Sequence, residues 1–227
     1  GLEPAVGSER GDENRVAVEF HTFPEFSFLG VRCVSIDERR ELDLARGNEG
    51  ACNPLGRVGL KFSAPVLPSE IKDHVVILPD LAGGRTDYDP WANGRDYSLL
   101  GQPHQQGEPY IVWLPERLGA AETYRLRAAG PSAAPKEEFG RTLAAPIDFA
   151  FETSHRPPDY TLVHPTAILE QGVDSEVPLY VTNLERFTVA YRSLTASGAA
   201  PSLVPDVGLP AIADLQYGVS LGVPALL

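Results

Sequence analysis

The stretch DLAGGRTDYDPWANGRDY, from Asp80 to Tyr97, concentrates residue types that bind metals and phosphates: four aspartates, a Gly–Gly pair and two arginines. A phosphate-binding loop of the Walker type needs a second glycine followed by a lysine at a fixed spacing, which AGGRTD lacks. A dinucleotide-binding loop must open a helix, and Pro90 would interrupt that helix. An EF-hand loop is excluded because Trp91 stands at the third ligand position after Asp87 and Asp89.

Two interpretations of this stretch remain open. In one, Asp87, Asp89 and Asp96 form a looser calcium site, since carboxylate oxygens are ligands that calcium prefers. In the other, which is favoured, the stretch is a long loop in which Gly83–Gly84 turn the chain and Trp91 packs onto the fold. The arginines that would then pair with the aspartates are Arg85 or Arg95.

Other patterns that resemble catalytic or metal sites are incomplete. GVSLG, at Gly218–Gly222, spells a nucleophile elbow, but no histidine follows it to complete a triad. Ile168 stands where the C-x-E-Q motif of thioester proteins has its cysteine, so we predict no thioester in this chain. The histidines occur singly, without the partner spacing of a metal site; they are His21, His74, His104, His155 and His164. We therefore predict a protein that is not an enzyme and that holds no cofactor.

Cys33 and Cys52 are the two cysteines of the chain. Two thiols are too few for a structural zinc site, which takes four ligands. A disulfide between them is favoured, and closing a loop of that size would stabilise the fold by about 3 kcal/mol. The alternative is a pair of buried free thiols, which behave as small hydrophobic residues. A disulfide would place the protein in the periplasm, on a cell surface or outside the cell.

The negative net charge of the chain indicates which classes of partner it disfavours. The formal net charge is −12 and the isoelectric point about 4.8. Such an acidic chain is repelled by nucleic acids and by anionic membrane surfaces, so we predict neither as a main partner. No stretch has the length of apolar sequence that a membrane-spanning helix needs, so we predict no membrane insertion by this segment.

The chain contains many short segments that are apolar or that alternate apolar and polar residues. Pro, Gly or charged residues separate these segments, which are rich in the β-branched and aromatic residues that favour strands. The 21 prolines argue against long helices. One short helix is predicted at SEIKDHV with Ser69 as its N-cap, and DERRELDLARG is either a second short helix or a charged loop. The predicted strands are Val16–Phe20, Ser27–Ser35, Val58–Ser63, Val75–Leu78, Tyr110–Leu114, Glu122–Ala128, Asp148–Thr153, Tyr160–Val163, Val177–Val181 and Phe187–Leu194. This pattern predicts an all-β fold of the β-sandwich type.

A weak internal repeat suggests tandem domains. VAVEFHTFP and DFAFETSHRPP are both alternating segments that close in Phe-x-Thr before a proline. We therefore expect residues 1–23 to be the last strand of a preceding domain or an N-terminal extension. We expect residues 24–156 to be one Ig-like sandwich, and residues 157–227 to be a second, truncated sandwich. The junction HRPPDYTL would set the angle between the two domains because proline restricts a linker. Its central residues are His155, Arg156, Pro157 and Pro158.

Several segments, taken in order, resemble the N-terminal half of bacterial alpha-2-macroglobulin-like proteins. They are FSFLGVRC, ACNPLGRVGLKFSAPV and ILPDLAGGRTDYDPW in the first half, then PTAILEQGVDSEVPLYVTNLERFTVAYRSL and VPDVGLPAIADLQYGVSLGVPALL. The resemblance runs in patches over residues 16–227, and VPLYVTNL looks like the first strands of a macroglobulin-like domain. It implies tandem Ig-like and macroglobulin-like β-sandwiches, the last one incomplete.

The resemblance also implies a role. Members of that family are very large periplasmic or cell-surface proteins, some of them membrane-anchored, that are similar to inhibitors which trap proteases by collapsing after a bait region is cut. This chain would be a non-catalytic scaffold segment whose partners are the neighbouring domains of the same polypeptide and, through the whole protein, target proteases. The alternatives are an Ig-like stalk or adhesion module of a bacterial surface protein, and a carbohydrate-active enzyme that uses Asp87 and Asp89. Fold alone does not separate these.

Overall fold

The computed structural model describes residues 18, 22–37, 39–45, 49–92, 107–128, 134–163, 166, 176–192 and 201–222. Within these ranges the protein is nearly all β, as predicted. The regular elements of the first part are β1 (Phe28–Val34), β2 (Glu41–Leu44), β3 (Ala51–Cys52), β4 (Gly59–Phe62), α1 (Pro68–His74), β5 (Val76–Leu78), β6 (Tyr110–Trp113), β7 (Thr123–Ala128) and β8 (Ile147–Thr153). Those of the second part are β9 (Asp159–Leu162), β10 (Glu176–Thr182), β11 (Arg186–Tyr191), β12 (Ser202–Gly208) and β13 (Tyr217–Gly222).

The first eight strands make two four-stranded sheets. One has the strand order β2-β1-β4-β6 and the other β3-β8-β7-β5. Neighbouring strands run antiparallel, except that the short β3 lies parallel to the end of β8. The remaining strands make a three-stranded sheet, β13-β10-β9, and the pair β11-β12, all antiparallel. In the described ranges, the two groups of sheets share no strand.

The hydrophobic core lies between the two four-stranded sheets. One sheet supplies residues such as Val31, Leu60 and Phe62, and the other supplies Leu126 and Phe151, all of them buried. This burial follows from the alternation of apolar and polar residues. Along TYRLRA in β7, every second side chain is buried and the others are exposed. The arrangement is that of a β-sandwich, which confirms the predicted fold class.

The second group of sheets buries much less. Leu179 and Val181 of β10 are its buried apolar residues among those described, while Tyr160, Leu162 and Val163 at β9 are exposed. In β11, which covers most of the predicted strand Phe187–Leu194, Phe187, Val189 and Tyr191 are half-buried and alternate with exposed residues. The boundaries predicted at residues 23 and 156 stay a prediction, although the change from one group of sheets to the other falls between Thr153 and Asp159.

Several local predictions need correction. DERRELDLARG contains the strand β2 rather than a helix, because Leu42 and Leu44 alternate with charged residues and enter the core. The helix α1 forms as predicted, but Leu67 is its N-cap residue and Pro68 stands in its first turn, so Ser69 is not the cap. GVSLG belongs to the strand β13, and β3 and β12 lie where no strand was predicted. The predicted strand Val16–Phe20 lies outside the described residues, apart from Val18.

Gly30 shows why one position in β1 takes no side chain. Its φ angle is 120°, and a Cβ there would overlap the carbonyl oxygen of Leu44 on the neighbouring strand. The register of β1 against β4 shifts at the same place, between Phe28 and Gly30. A backbone irregularity of this kind bends a strand and sharpens its twist.

Within the described residues, no helix has the length and apolar character needed to cross a membrane.

Candidate functional site

The described part of the aspartate-rich stretch, residues 80–92, is a loop built on consecutive turns. The backbone N–H of Gly84 donates hydrogen bonds to both carboxylate oxygens of Asp80, at 3.2 and 3.1 Å. Gly83 and Gly84 both have positive φ angles, of 64° and 78°. Glycine adopts this conformation without steric cost, so the Gly–Gly pair turns the chain as predicted.

Both carboxylate oxygens of Asp89 accept hydrogen bonds from other groups of the protein. Its Oδ2 accepts a hydrogen bond from the ammonium of Lys72 in α1 at 2.7 Å, and its Oδ1 accepts one from the backbone N–H of Trp91 at 2.9 Å. The Lys72 ammonium, followed by the Trp91 N–H, lowers the pKa of Asp89 below its usual value. Trp91 is half-buried against the core, as predicted. The loop is therefore fastened to the sandwich by a salt bridge and an aromatic contact.

Arg85, one of the two arginines of this stretch, has a different partner from the predicted one. The Arg85 guanidinium lies over the ring of Tyr88, 4.0 Å from its centroid, and its Nε donates to the carbonyl of Ala82 at 3.2 Å. The Tyr88 hydroxyl in turn donates to Glu116. The aspartate that forms a salt bridge in this loop is Asp89, and its cation is Lys72 rather than Arg85. Arg95 lies outside the described residues.

For the calcium hypothesis, the structure brings Asp87 and Asp89 into one loop, while Asp96 lies outside the described residues. Across the described ranges, no cluster of three or more His, Cys, Asp or Glu side chains is arranged to hold a metal ion. Because one carboxylate oxygen of Asp89 already accepts from an ammonium, a cation there would have to displace Lys72. The calcium site stays a hypothesis, and it would require Lys72 to move away from Asp89.

Cys33 and Cys52 form a disulfide, with their Cα atoms 5.6 Å apart. Cys33 belongs to β1 in one sheet, and Cys52 belongs to β3 in the other. Both residues are buried in the core. The bond therefore joins the two layers of the sandwich close to the end of β8, where the chain leaves it.

That exit from the sandwich, at His155–Arg156, is held by two side chains from the second group of sheets. Asp214, between β12 and β13, accepts a hydrogen bond from the Arg156 backbone N–H at 2.7 Å, and its other oxygen lies 2.7 Å from Nδ1 of His155. Asn183, between β10 and β11, donates to the Arg156 carbonyl at 2.7 Å and to Asp214 at 3.0 Å. The Asp214 backbone N–H donates back to Asn183 at 2.6 Å. We call these four residues the junction network.

The electrostatics of the junction network centre on Asp214, whose side chain is 17% exposed against 71% for His155. Burial by itself raises the pKa of Asp214, but hydrogen bonds from Asn183, from the Arg156 N–H and from His155 outweigh it, and the pKa lies below its usual value. A carboxylate that accepts several hydrogen bonds favours its ionised form. The hydrogen bonds of the network are therefore strongest while Asp214 is ionised.

Asn183 and Asp214 were missed by sequence reasoning. Both have positive φ angles, of 50° and 60°, which is uncommon for residues other than glycine but several-fold enriched in Asn and Asp. The usable signal was a short polar residue at each turn, in VTNLER and IADLQY. The sequence could not show that these two turns meet each other and residue 156, because they are distant along the chain.

A groove lies beside the junction network, with a volume of about 560 Å³. It runs between the β1–β2 connection and the exit from β8, and it is lined by Ser35, Ile36, Asp37, Arg40, His155, Arg156, Pro157 and Pro158 among others. All four residues predicted to form the junction thus share one surface with the disulfide-linked end of the sandwich.

Comparison of the chain with protein-family models, with curated proteins and with solved structures found no match. The resemblance to alpha-2-macroglobulin-like proteins accordingly stays a prediction from the sequence segments that carry it.

Proposed function

We propose that this chain is a non-catalytic scaffold segment of a bacterial alpha-2-macroglobulin-like, protease-trapping inhibitor that works in the periplasm or at the cell surface. The role of the segment is to hold consecutive β-sandwich domains at a defined angle. In a protease trap, the movement that follows cleavage of the bait region must pass from one domain to the next. The contacts between domains therefore matter more than any single side chain.

The observation that carries this proposal is the junction network. Asp214 and Asn183 bind the backbone on both sides of residue 156, at its N–H and at its carbonyl. Backbone recognition of this kind fixes the direction in which the chain leaves the sandwich. Pro157 and Pro158 follow at once and restrict the next residues. Hydrogen bonds together with prolines favour a stiff connection over a loose one.

The disulfide supports an extracytoplasmic setting. Cys33 and Cys52 are bonded at the same end of the sandwich as the junction. Disulfides form and persist in oxidising compartments such as the periplasm and the cell exterior. Partners under this proposal are the neighbouring domains of the same polypeptide and, through the whole protein, the proteases that it traps.

The test uses the whole protein that contains this segment. The protein is mixed with a broad-specificity protease, and cleavage of a large protein substrate and of a small chromogenic peptide is followed in parallel. A caged protease still cuts the small peptide but spares the large substrate. If both substrates are cut as fast as by the protease alone, trapping is ruled out, and the stalk or adhesion module becomes the better hypothesis.

A further inference from the structure

Arg156 combines a firmly held backbone with a guanidinium that has no partner. Its backbone N–H and carbonyl belong to the junction network, but its side chain takes part in none of the hydrogen bonds and ion pairs of the described residues. The Nε atom is buried and unpartnered, whereas the two Nη nitrogens, also unpartnered, keep contact with solvent. Folded proteins rarely leave a buried cationic donor without a partner, because the desolvation cost is then not offset.

The carboxylate of the junction network does not bind this guanidinium. One oxygen of Asp214 accepts from the Arg156 backbone N–H, and the other lies 2.7 Å from Nδ1 of His155. Asn183 donates to Asp214 as well. Since these contacts leave the side chain of Arg156 out of the network, its guanidinium is free to bind a group from outside.

Arg156 lines the groove of about 560 Å³ beside the junction network, together with a second arginine. That residue, Arg40, is exposed, and its side chain has no hydrogen bond or ion pair with the described residues. Asp37 is the acidic residue named in the lining, so the groove has a small positive excess although the whole chain carries −12. At physiological salt the screening length is about 8 Å, so the two arginines outweigh distant carboxylates for an anion in the groove.

The walls of the groove are fixed by contacts within the sandwich. Ser35 closes the β1–β2 connection, because its N–H donates to the Arg40 carbonyl at 2.9 Å and its hydroxyl accepts from the Arg40 N–H at 3.2 Å. On the opposite wall, the Ser154 N–H donates to the carbonyl of disulfide-bonded Cys52 at 2.9 Å. Walls that are already in place lower the cost of binding, because fewer groups have to be ordered.

The apolar part of the lining indicates what carries the anion. Ile36, Leu42, Pro157 and Pro158 line the groove together with the arginines. A ligand that matches the whole lining therefore has a negative charge with apolar groups on either side of it. The guanidinium of Arg156 is a planar fork that suits the two oxygens of a carboxylate, and a single negative charge suits the small positive excess.

We propose that the groove beside the junction network binds a carboxylate carried by an extended peptide segment with apolar neighbours, such as a glutamate between valines. The carboxylate bonds to the Arg156 guanidinium, and Arg40 supplies the second positive charge. The apolar side chains lie against Ile36 and the two prolines that follow Arg156. This binding function is independent of the protease-trapping role.

The probe is a blocked pentapeptide with one glutamate between two valines, titrated into the isotope-labelled whole chain of 227 residues at physiological salt. Amide chemical shifts measured by NMR report binding. We expect saturable shifts at Ser35, Arg40 and Ser154, which surround the groove. The same peptide with glutamine in place of glutamate keeps the shape but loses the charge, so it should bind about tenfold more weakly or worse.

Arg156→Met is the matching change in the protein, because methionine is flexible enough to replace the buried stem but has no guanidinium. We expect it to weaken binding of the glutamate peptide about tenfold or more. Arg156→Lys keeps the positive charge but loses the fork, so its affinity should lie in between. Arg117→Met, which removes an exposed arginine outside the groove, should bind like the native chain. If Arg156→Met fails to fold, the glutamine peptide tests the same contact on the unaltered protein.

The binding site would be overturned by the absence of saturable shifts around the groove, by equal binding of the glutamate and glutamine peptides, or by full binding to a folded Arg156→Met variant. Sodium acetate and inorganic phosphate, titrated in parallel, test what kind of anion is bound. We expect both to bind more weakly than the peptide, and tighter binding of either would overturn the assignment to a carboxylate on a peptide. A failure here leaves the trapping proposal untouched, because the titration involves neither a protease nor the whole inhibitor.

Discussion

At the residue scale, the most informative side chain is Asp214, because one carboxylate joins three parts of the structure. It lies between β12 and β13, bonds to the backbone after β8, and is held by Asn183 from between β10 and β11. Its backbone N–H also donates to Asn183, so the two residues support each other. Removing a single partner would leave the others incompletely bonded, which costs more than the mean value of a hydrogen bond suggests.

We predict that Asp214→Ala releases the Arg156 amide. Hydrogen bonds to charged groups contribute about 2 kcal/mol each, so exchange of that N–H with deuterated water should become about tenfold faster or more. Hydrogen–deuterium exchange read by NMR at residue 156 measures this. Asp159→Ala, which removes an exposed carboxylate on β9, serves as the control and should leave the exchange rate unchanged. Unaltered exchange in Asp214→Ala would show that the network does not hold the junction.

The junction should also loosen in acid. The pKa of Asp214 is lower in the folded protein than in the unfolded chain, so its stabilising contribution is fully present above the unfolded value of about 3.9. That contribution is lost as the pH falls through the lower folded value. Exchange at the Arg156 amide, corrected for its intrinsic pH dependence, should therefore rise in this acidic range, and Asp214→Ala should abolish the effect. A pH dependence that survives the substitution would assign it to another group.

The calcium hypothesis is tested at the same scale. Because the Lys72 ammonium already occupies Asp89, we expect added calcium to leave the thermal unfolding temperature of the native chain unchanged. Lys72→Ala frees that oxygen and is the variant in which weak binding should be easiest to detect. A calcium-dependent rise in unfolding temperature that disappears in Asp87→Ala would instead establish a site in this loop.

At the element scale, the disulfide couples β1 of one sheet to β3 of the other. We predict that the double change Cys33→Ala and Cys52→Ala lowers the free energy of unfolding by about 3 kcal/mol, because the unfolded chain regains the freedom that the closed loop removes. Urea denaturation followed by tryptophan fluorescence measures the change. Reductant should destabilise the native protein by a similar amount and have no effect on the double variant. A loss well below 1 kcal/mol would mean that packing alone holds the two sheets together.

At the scale of the whole molecule, the two groups of sheets differ in how much they bury. The continuous core cluster extends from Phe26 to Phe151, whereas β9 to β13 contribute Leu179 and Val181 as buried apolar residues among those described. Apolar burial is the main source of stability, so the second group should open at lower free energy. We predict that amides of β10 and β13 exchange faster than those of β4 and β7. Equal protection would indicate one cooperative unit.

The junction should govern the shape of the whole chain. Replacing Pro157 and Pro158 by glycine removes the restriction on the linker, and adding Asp214→Ala removes the bonds that hold it. We expect the combined variant to show a broader distance distribution in small-angle X-ray scattering than the native chain, with each partial variant in between. If all scattering curves coincide, HRPPDYTL does not set the angle between the domains.

Sequence patterns were sufficient wherever a short segment carries its own signal. Alternation located β7 and β11, the Gly–Gly pair located the turn in the aspartate-rich loop, and the two cysteines predicted the disulfide. β2 was missed because the charged residues around Leu42 and Leu44 conceal an alternation of only four residues. The strand β3 has only two residues, which is too short for an alternation of apolar and polar residues to be recognised. It is a strand because it pairs with the neighbouring β8.

The sequence by itself determined the all-β class of this protein and most of its strands, because periodicity and turn chemistry act over a few neighbouring residues. Only the tertiary structure decided that Lys72 rather than Arg85 pairs with Asp89, and that Asn183 and Asp214 meet at Arg156. Each of these contacts joins residues that lie far apart along the chain. Such proximity is set by packing of the whole fold, which no local pattern contains.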